Sequence, residues 1–428
     1  MKFVCSSRGS RGDVFPIIEI ASILRNAGHE VRICVPGIFE DECRRRGLSV
    51  ALYPEDSTEV MRSLQSGLPA WKNALAWVSR AIDDQFAFMM GESADADAMV
   101  TSVNEFIAPT VAVYRRVPHF RIAYAPVLPG YHPPPLVPWQ KLPGLVNRAL
   151  WGAVNFSAAI FVRDAINEKR RLLGMAPIRD TPNYFLRDSY TLLAISPILG
   201  PPCRSWRGRY RYAYTGCCHP FNDEPIDPAL SRFLDDGPPP VYIGFGSVHV
   251  KDPEGFTAMA IEAVRMAGCR AILGAGWTGL GAAKLPDEIY LTGDTNHAAL
   301  FPRCAGAAHH GGSGTTHTAA RSGVPQFIMP QIADQFYWGA RVHDLGLGPV
   351  PIPPKRLTAN RLAHALTAIV SGRYSEAARR VADQIAYEPG AEGAAALICA
   401  EVSGRPAKGR DASRSRNAPP QRAALARE

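Results

Sequence analysis

The run His309-His310-Gly311-Gly312-Ser313-Gly314-Thr315-Thr316, followed downstream by Ala333-Asp334-Gln335, has the residue types needed to hold a sugar diphosphate. Glycines between a strand and a helix let backbone N–H groups approach an anion, and a helix amino terminus adds roughly half a positive charge there. The hydroxyls of Thr315 and Thr316 are donors to phosphate oxygens, and a neighbouring histidine can donate or carry charge. Asp334 accepts only, whereas Gln335 accepts and donates, a pairing suited to adjacent sugar hydroxyls. A second candidate lies near the amino terminus, where Gly9-Ser10-Arg11-Gly12-Asp13 follows the short apolar run Phe3-Val4-Cys5. A carboxylate on a loop at the end of a first strand faces a crevice, and desolvation there lifts its pKa toward use as a base. Asp13 equally suits a cap on the helix entered at Val14–Pro16.

These groups require strands that stop and helices that start at the right places. Lys2–Cys5 and Val31–Val35 are expected strands, with a helix from about Pro16 to Ala27 closed by Gly28. Residues 57–96 carry helical spacing, 98–101 and 120–124 are expected strands, and a proline-rich loop over 126–143 precedes a long helix. After Gly237-Pro238-Pro239-Pro240 the strand–helix alternation resumes at Val241. Such alternation implies parallel sheets with right-handed crossovers and a ligand crevice at the carboxyl ends of the strands. The expected division is an acceptor-binding Rossmann-like domain over 1–205, a linker over 206–240, a nucleotide-sugar domain over 241–402, and a basic tail over 403–428.

Several segments together resemble the family 1 glycosyltransferases, in particular the bacterial antibiotic and the sterol enzymes. They are Gly9–Pro16, Val241–Ser247, Gly276-Trp277, Leu300-Phe301-Pro302, the 309–316 run, Ala333–His343, Gly346–Pro349 and Pro351–Pro353. The resemblance implies an α/β GT-B fold of two facing Rossmann-like domains with parallel sheets. It also implies inverting transfer of a hexose, glucose from UDP-glucose, to the hydroxyl of a lipophilic acceptor such as a sterol, terpenoid, polyketide or lipid. Matched residue by residue, Asp13 is the general base, and His310, Gly312, Gly314 and Thr315 contact the phosphates. Ser247 caps the phosphates from another loop, Asp334 and Gln335 hold the sugar, and Trp277 packs the nucleotide base. Ser10 assists at the phosphates or the acceptor, and His309 joins the donor site or braces its loop. No metal and no cofactor beyond the nucleotide sugar is implied.

Other readings are narrower. A thymidine-donor deoxysugar transferase acting on a hydroxy-fatty-acid lipid stays within the class. A nucleotide-sugar 2-epimerase or a non-catalytic nucleotide-sugar-binding partner would be a different kind of protein. Gly274-Ala275-Gly276-Trp277-Thr278-Gly279 with Asp294 imitates a dinucleotide fingerprint, but the helix it needs is absent, with Pro286 in its place. Asp95-Ala96-Asp97 lies far in sequence from every donor motif and is expected to be a solvated turn. Length of 428 residues, 46% hydrophobic and 20% charged content describe a folded two-domain chain. Nine cysteines without a C-x-x-C pair, and no apolar stretch near roughly 20 residues, point to a cytoplasmic protein. Of the net charge of +8, seven basic against two acidic residues after Gly404 account for +5, which leaves +3 for the folded part and nothing that suggests groove recognition of nucleic acid. A solvated tail is the plain expectation, and weak attachment to the anionic inner membrane face is the sharper one.

Overall fold

A computed structural model describes residues 1–53, 70–219, 225–246, 252–275 and 285–404, without the side chains of 70–77, 158 and 161. Ser247, Trp277 and the tail from 405 lie outside the described residues, as do the side chains of Trp71, Trp77 and Phe161.

Seven strands form the first sheet: β1 (Lys2–Ser6), β2 (Glu30–Pro36), β3 (Ser49–Tyr53), β4 (Ala98–Ser102), β5 (His119–Ala123), β6 (Tyr190–Leu193) and β7 (Tyr212–Tyr214). Their order is β3-β2-β1-β4-β5-β6-β7, every pairing parallel. The second sheet has β8 (Val241–Gly244), β9 (Ala271–Gly274), β10 (Ile289–Thr292), β11 (Gly306–His309) and β12 (Gln326–Ile328), in the order β10-β9-β8-β11-β12, again all parallel. Strands buried on both faces need unbroken apolar runs, which Phe3-Val4-Cys5 and Val241-Tyr242-Ile243 supply. Each sheet reverses its winding order between two strands, β1 and β4 in the first, β8 and β11 in the second. Ligand crevices of open α/β sheets form at such switch points.

The expected boundaries need three corrections. The first helix is Arg11–Asn26, five residues earlier than expected at its start, so Asp13 stands in its first turn rather than on a free loop. Pro16 therefore lies inside the helix, where its missing N–H leaves only the Gly12 carbonyl without an intrahelical partner. Residues 206–240 are not a plain linker. Trp206 is fully buried, β7 completes the first sheet, and the helix Pro228–Asp235 packs Leu230 and Leu234 against Tyr242 and Phe301 of the second unit. The first sheet's last strand ends at Tyr214, and the helix that packs on the second unit opens at Pro228.

The last helix, Gly390–Ser403, also leaves the domain expected over 241–402. It returns to the first sheet, where Ala391, Ala394, Ala395 and Ile398 join a core with Ile17, Ile20 and Leu24 of the Arg11–Asn26 helix. A second apolar cluster crosses between the units, uniting Leu193, Ile195, Leu199 and Trp206 with Tyr337, Trp338, Val342 and Ile385. The Arg341 guanidinium donates to the carbonyls of Leu199 at 2.8 Å and Ile198 at 3.3 Å across the same junction. This shared core sets the two sheets against one another and fixes the crevice between them.

Candidate active site

On the first sheet's side, the chain leaves β1 through Ser7–Ser10 and enters the helix at Arg11. Gly9 has φ +122°, a conformation glycine adopts without strain, and a Cβ there would overlap the Asp13 carboxylate. Both carboxylate oxygens accept hydrogen bonds. Oδ2 accepts the Ser10 backbone N–H at 2.9 Å and the Ser10 hydroxyl at 2.9 Å, while Oδ1 accepts the Asn104 amide at 3.1 Å. Ser10, not Asp13, is therefore the N-cap of a helix that starts at Arg11, and the half-buried Asp13 closes a capping box with it from the third helical position. Burial pushes its pKa up, and the Ser10 and Asn104 donors oppose that rise. The Tyr124 hydroxyl donates to the Asp13 carbonyl at 2.7 Å, pinning the helix entrance from β5's end.

On the second sheet's side, β11 ends at His309 and the helix Ser313–Arg321 follows, with Gly312 as N-cap and no side-chain cap over its first turn. Those first N–H groups have no intrahelical acceptor and point toward the crevice. His310 is nearly buried, its Nδ1 has no partner among the described residues, and burial together with His309 and His297 drives its pKa down to about 3. It is a neutral imidazole, so it can donate but carries no charge. Gly246 at φ +58° and Gly312 both leave room for this ring, which a Cβ at either position would crowd.

Three donor-site expectations change here. His309 is wholly enclosed: Gly311 N–H donates to its Nδ1 at 3.1 Å, so Nε2 bears the proton and donates to Gln326 Oε1 at 3.0 Å. It braces the loop and has no free atom for a ligand. Thr316 spends its hydroxyl on the Gly312 carbonyl at 2.9 Å, leaving Thr315, half-exposed in the first turn, as the hydroxyl available. Gln335 spends its Oε1 on the N–H groups of Gln331 at 2.8 Å and Ile332 at 3.1 Å, so only its amide nitrogen remains for a sugar. Asp334 accepts the Trp338 indole N–H at 2.8 Å through Oδ2, and burial raises its pKa to about 6. The preceding Ala333 has φ +50°, strain of the kind found where a loop is held for function.

The two sides meet. His219 stacks on Phe15, two residues past Asp13, and packs against Gly314 of the second sheet's helix, and the Asp13 charge is among the causes that raise the Asp334 pKa. Arg11, two residues before Asp13, pairs with Asp294 across the crevice. Gly274 accommodates the Tyr242 ring, against which its Cβ would overlap. Asp95 and the Asp97 carboxylate hold Lys2, at the opposite end of β1 from the crevice. Asn104, His219 and His297 reach the site without having been singled out by sequence. Of the large apolar side chains on the first unit's helices, Met89 and Trp151 are buried and Phe86, Phe88 and Met90 pack on core clusters, whereas Phe156 is 70% exposed.

A family profile, the C-terminal domain of erythromycin biosynthesis protein CIII-like proteins, matches residues 276–400. Glycosyltransferase GtfE of Amycolatopsis orientalis is 33% identical over 409 residues, covering 94% of this chain and 98% of the relative. The chain belongs to this glycosyltransferase family. Vancomycin aglycone glucosyltransferase of the same organism is 33% identical over 380 residues, covering 86% of the chain and 90% of the relative. Sterol 3-beta-glucosyltransferase UGT80A2 of Arabidopsis thaliana is 29% identical, covering 92% of the chain but 64% of the longer plant protein. Among solved structures, the kitacinnamycin glycotransferase superposes with a TM-score of 0.74 at 18% identity, over 94% of this chain and 99% of that one. The glycosyltransferase therefore has the GT-B fold, in which ligand crevices are expected at the carboxyl ends of each sheet's strands.

Proposed function

We propose that the enzyme transfers a hexose, glucose from UDP-glucose, to a hydroxyl of a lipophilic acceptor with inversion at the anomeric carbon. The observation that carries this reading is the convergence, in one crevice, of Asp13 from the first sheet's switch point with the helix amino terminus, His310 and Asp334 of the second. In this reading Asp13 takes the acceptor proton as the hydroxyl oxygen attacks the anomeric carbon in line through an oxocarbenium-like state. The bond to the diphosphate breaks with its electron pair passing to the leaving oxygen. The N–H groups of the Ser313–Arg321 first turn, the Thr315 hydroxyl and the His310 imidazole stabilise that charge. Asp334 and the amide nitrogen of Gln335 hold the sugar. With these donors in place the reading requires no divalent ion.

The acceptor class rests on the segment that leaves the crevice at Tyr124. Tyr131, Leu136, Trp139, Leu142, Leu145 and Phe156 are exposed large apolar side chains along it, better suited to a sterol, terpenoid or polyketide than to a free sugar. The names of two relatives, an aglycone glucosyltransferase and a sterol glucosyltransferase, support glucose and a bulky acceptor. Among the described residues no single helix is long and apolar enough to cross a membrane.

The test is a donor-by-acceptor screen read by mass spectrometry, run with and without excess chelator. The expected product is a hexosylated lipophilic alcohol from UDP-glucose, undiminished by chelator. Preference for a thymidine-linked deoxysugar would move the enzyme to the rhamnosyl-type reading, and preference for a soluble sugar or protein acceptor would overturn the acceptor class. A rearranged free sugar would indicate the epimerase.

A further inference from the structure

One histidine at the crevice is unaccounted for by any motif. His219 follows β7, and its ring lies against Gly314, the second residue of the Ser313–Arg321 helix. A Cβ at Gly314 would overlap Cδ2 and Nε2 of that ring, so the glycine is what admits the imidazole to the helix's amino end. On its other side the ring runs parallel to Phe15, with centroids 6.3 Å apart and planes 6° apart. Phe15 lies on the Arg11–Asn26 helix, two residues past Asp13. His219 thus stands between the neighbourhood of the base and the cradle proposed for the phosphates. Burial and the nearby His297 lower its pKa to about 4, so the ring is neutral and holds one N–H.

Beside the same helix end a second imidazole, packed on Gly312, has an unpartnered nitrogen. His310, 8% exposed, keeps an Nδ1 with no partner among the described residues, although buried polar atoms are nearly always satisfied. A phosphate oxygen or its bound water would supply that partner.

Resting on the donor reading above, we infer that His219 is a further donor-site residue whose Nε2–H hydrogen-bonds a β-phosphate oxygen and keeps that bond as the anomeric carbon–oxygen bond breaks. The β-phosphate is the one named because it carries the sugar whose anomeric carbon must face Asp13, and His219 lies on Asp13's side of the helix end. No proton leaves the imidazole. The acceptor's proton goes to Asp13, and the electron pair of the broken bond goes to the diphosphate.

His219→Phe keeps a flat ring against Phe15 and removes the donor. Titration calorimetry with UDP, dTDP, UMP and dTMP on the full-length enzyme then separates the phosphates. The inference expects about a 10- to 100-fold loss for whichever diphosphate the wild type binds, the range for a hydrogen bond to a charged group, with the matching monophosphate changed by less than about 2-fold. kcat should fall with it. Undiminished diphosphate affinity, or equal losses for monophosphate and diphosphate with kcat unchanged, would show that His219 only packs. Should His219→Phe not fold, His219→Gln and His219→Asn decide the matter. The Gln amide nitrogen reaches the place of Nε2 and should retain diphosphate affinity, whereas Asn reaches only the place of Nδ1 and should lose it. Equal affinities for those two variants would overturn the inference. A wild type that binds neither diphosphate would instead refute the donor reading.

Discussion

Removing the amide at Asn104 should move the enzyme's pH profile in a direction the structure specifies. Asn104 Nδ2 donates to Asp13 Oδ1 at 3.1 Å and to the Arg8 carbonyl at 3.3 Å, and it is one of the donors opposing the desolvation that raises Asp13's pKa. A hydrogen bond to a charged group contributes about 1.5–3 kcal/mol, and one pKa unit corresponds to about 1.36 kcal/mol, so Asn104→Ala should raise the Asp13 pKa by about 1–2 units. A base that protonates at higher pH loses activity from the acid side. The acid limb of kcat/KM should therefore shift upward by about that amount, while the alkaline plateau changes less. The assay is initial rate against pH from 5 to 9 at limiting acceptor, with a melting curve to confirm that the variant is folded. An acid limb that stays in place in a folded variant would mean that Asn104 does not tune the base, or that Asp13 is not the group titrating.

Asp334 offers a stability test of opposite sign to most carboxylates. Its folded pKa is about 6 against a usual 3.8, so the native state binds more protons across that window and loses stability as pH rises through it. Asp334→Asn, which still accepts from Trp338, should gain about 1–2 kcal/mol above pH ~6 after allowance for solvent screening, seen as roughly 2–4 °C in melting temperature, and nothing below pH ~4. A gain that persists at low pH would contradict the burial argument. His309→Ala and His310→Ala should separate brace from ligand: the first lowers melting temperature more, while the second weakens UDP binding more, as calorimetry would show. Gly9→Ala should cost about 1–3 kcal/mol in urea denaturation, since φ +122° strains alanine and its Cβ overlaps the Asp13 carboxylate. A neutral Gly9→Ala would mean that the loop relaxes freely.

The sequence carried the parallel sheets and the two glycine-rich strand ends, because buried parallel strands and strand-to-helix turns leave strong local marks. It singled out Asp13 and misjudged its element. Pro16 looked like a helix start, whereas the reciprocal contact between Ser10 and Asp13 opens the helix earlier. Residue type alone made Gln335 a sugar ligand, but its oxygen closes its own loop, a use visible only once Gln331 and Ile332 turn their N–H groups toward it. Asn104 lies in an unmarked run after β4, and only the β1–β4 adjacency brings it to Asp13. His219 sat in what looked like a linker. The alanine-rich helix Gly390–Ser403 has no pattern that names its sheet, and small side chains let it approach the Arg11–Asn26 helix instead of finishing the second unit.

In the proposed mechanism Asp13 deprotonates the acceptor while the other sheet holds the donor. Asp13→Asn tests it most directly, because Asn retains an oxygen for the Ser10 N–H and should keep the fold to within a few degrees of melting temperature. At saturating donor and acceptor, turnover should fall by about 10²-fold or more with UDP affinity unchanged. Wild-type turnover in a folded Asp13→Asn enzyme would contradict the claim and leave Asp13 a helix cap.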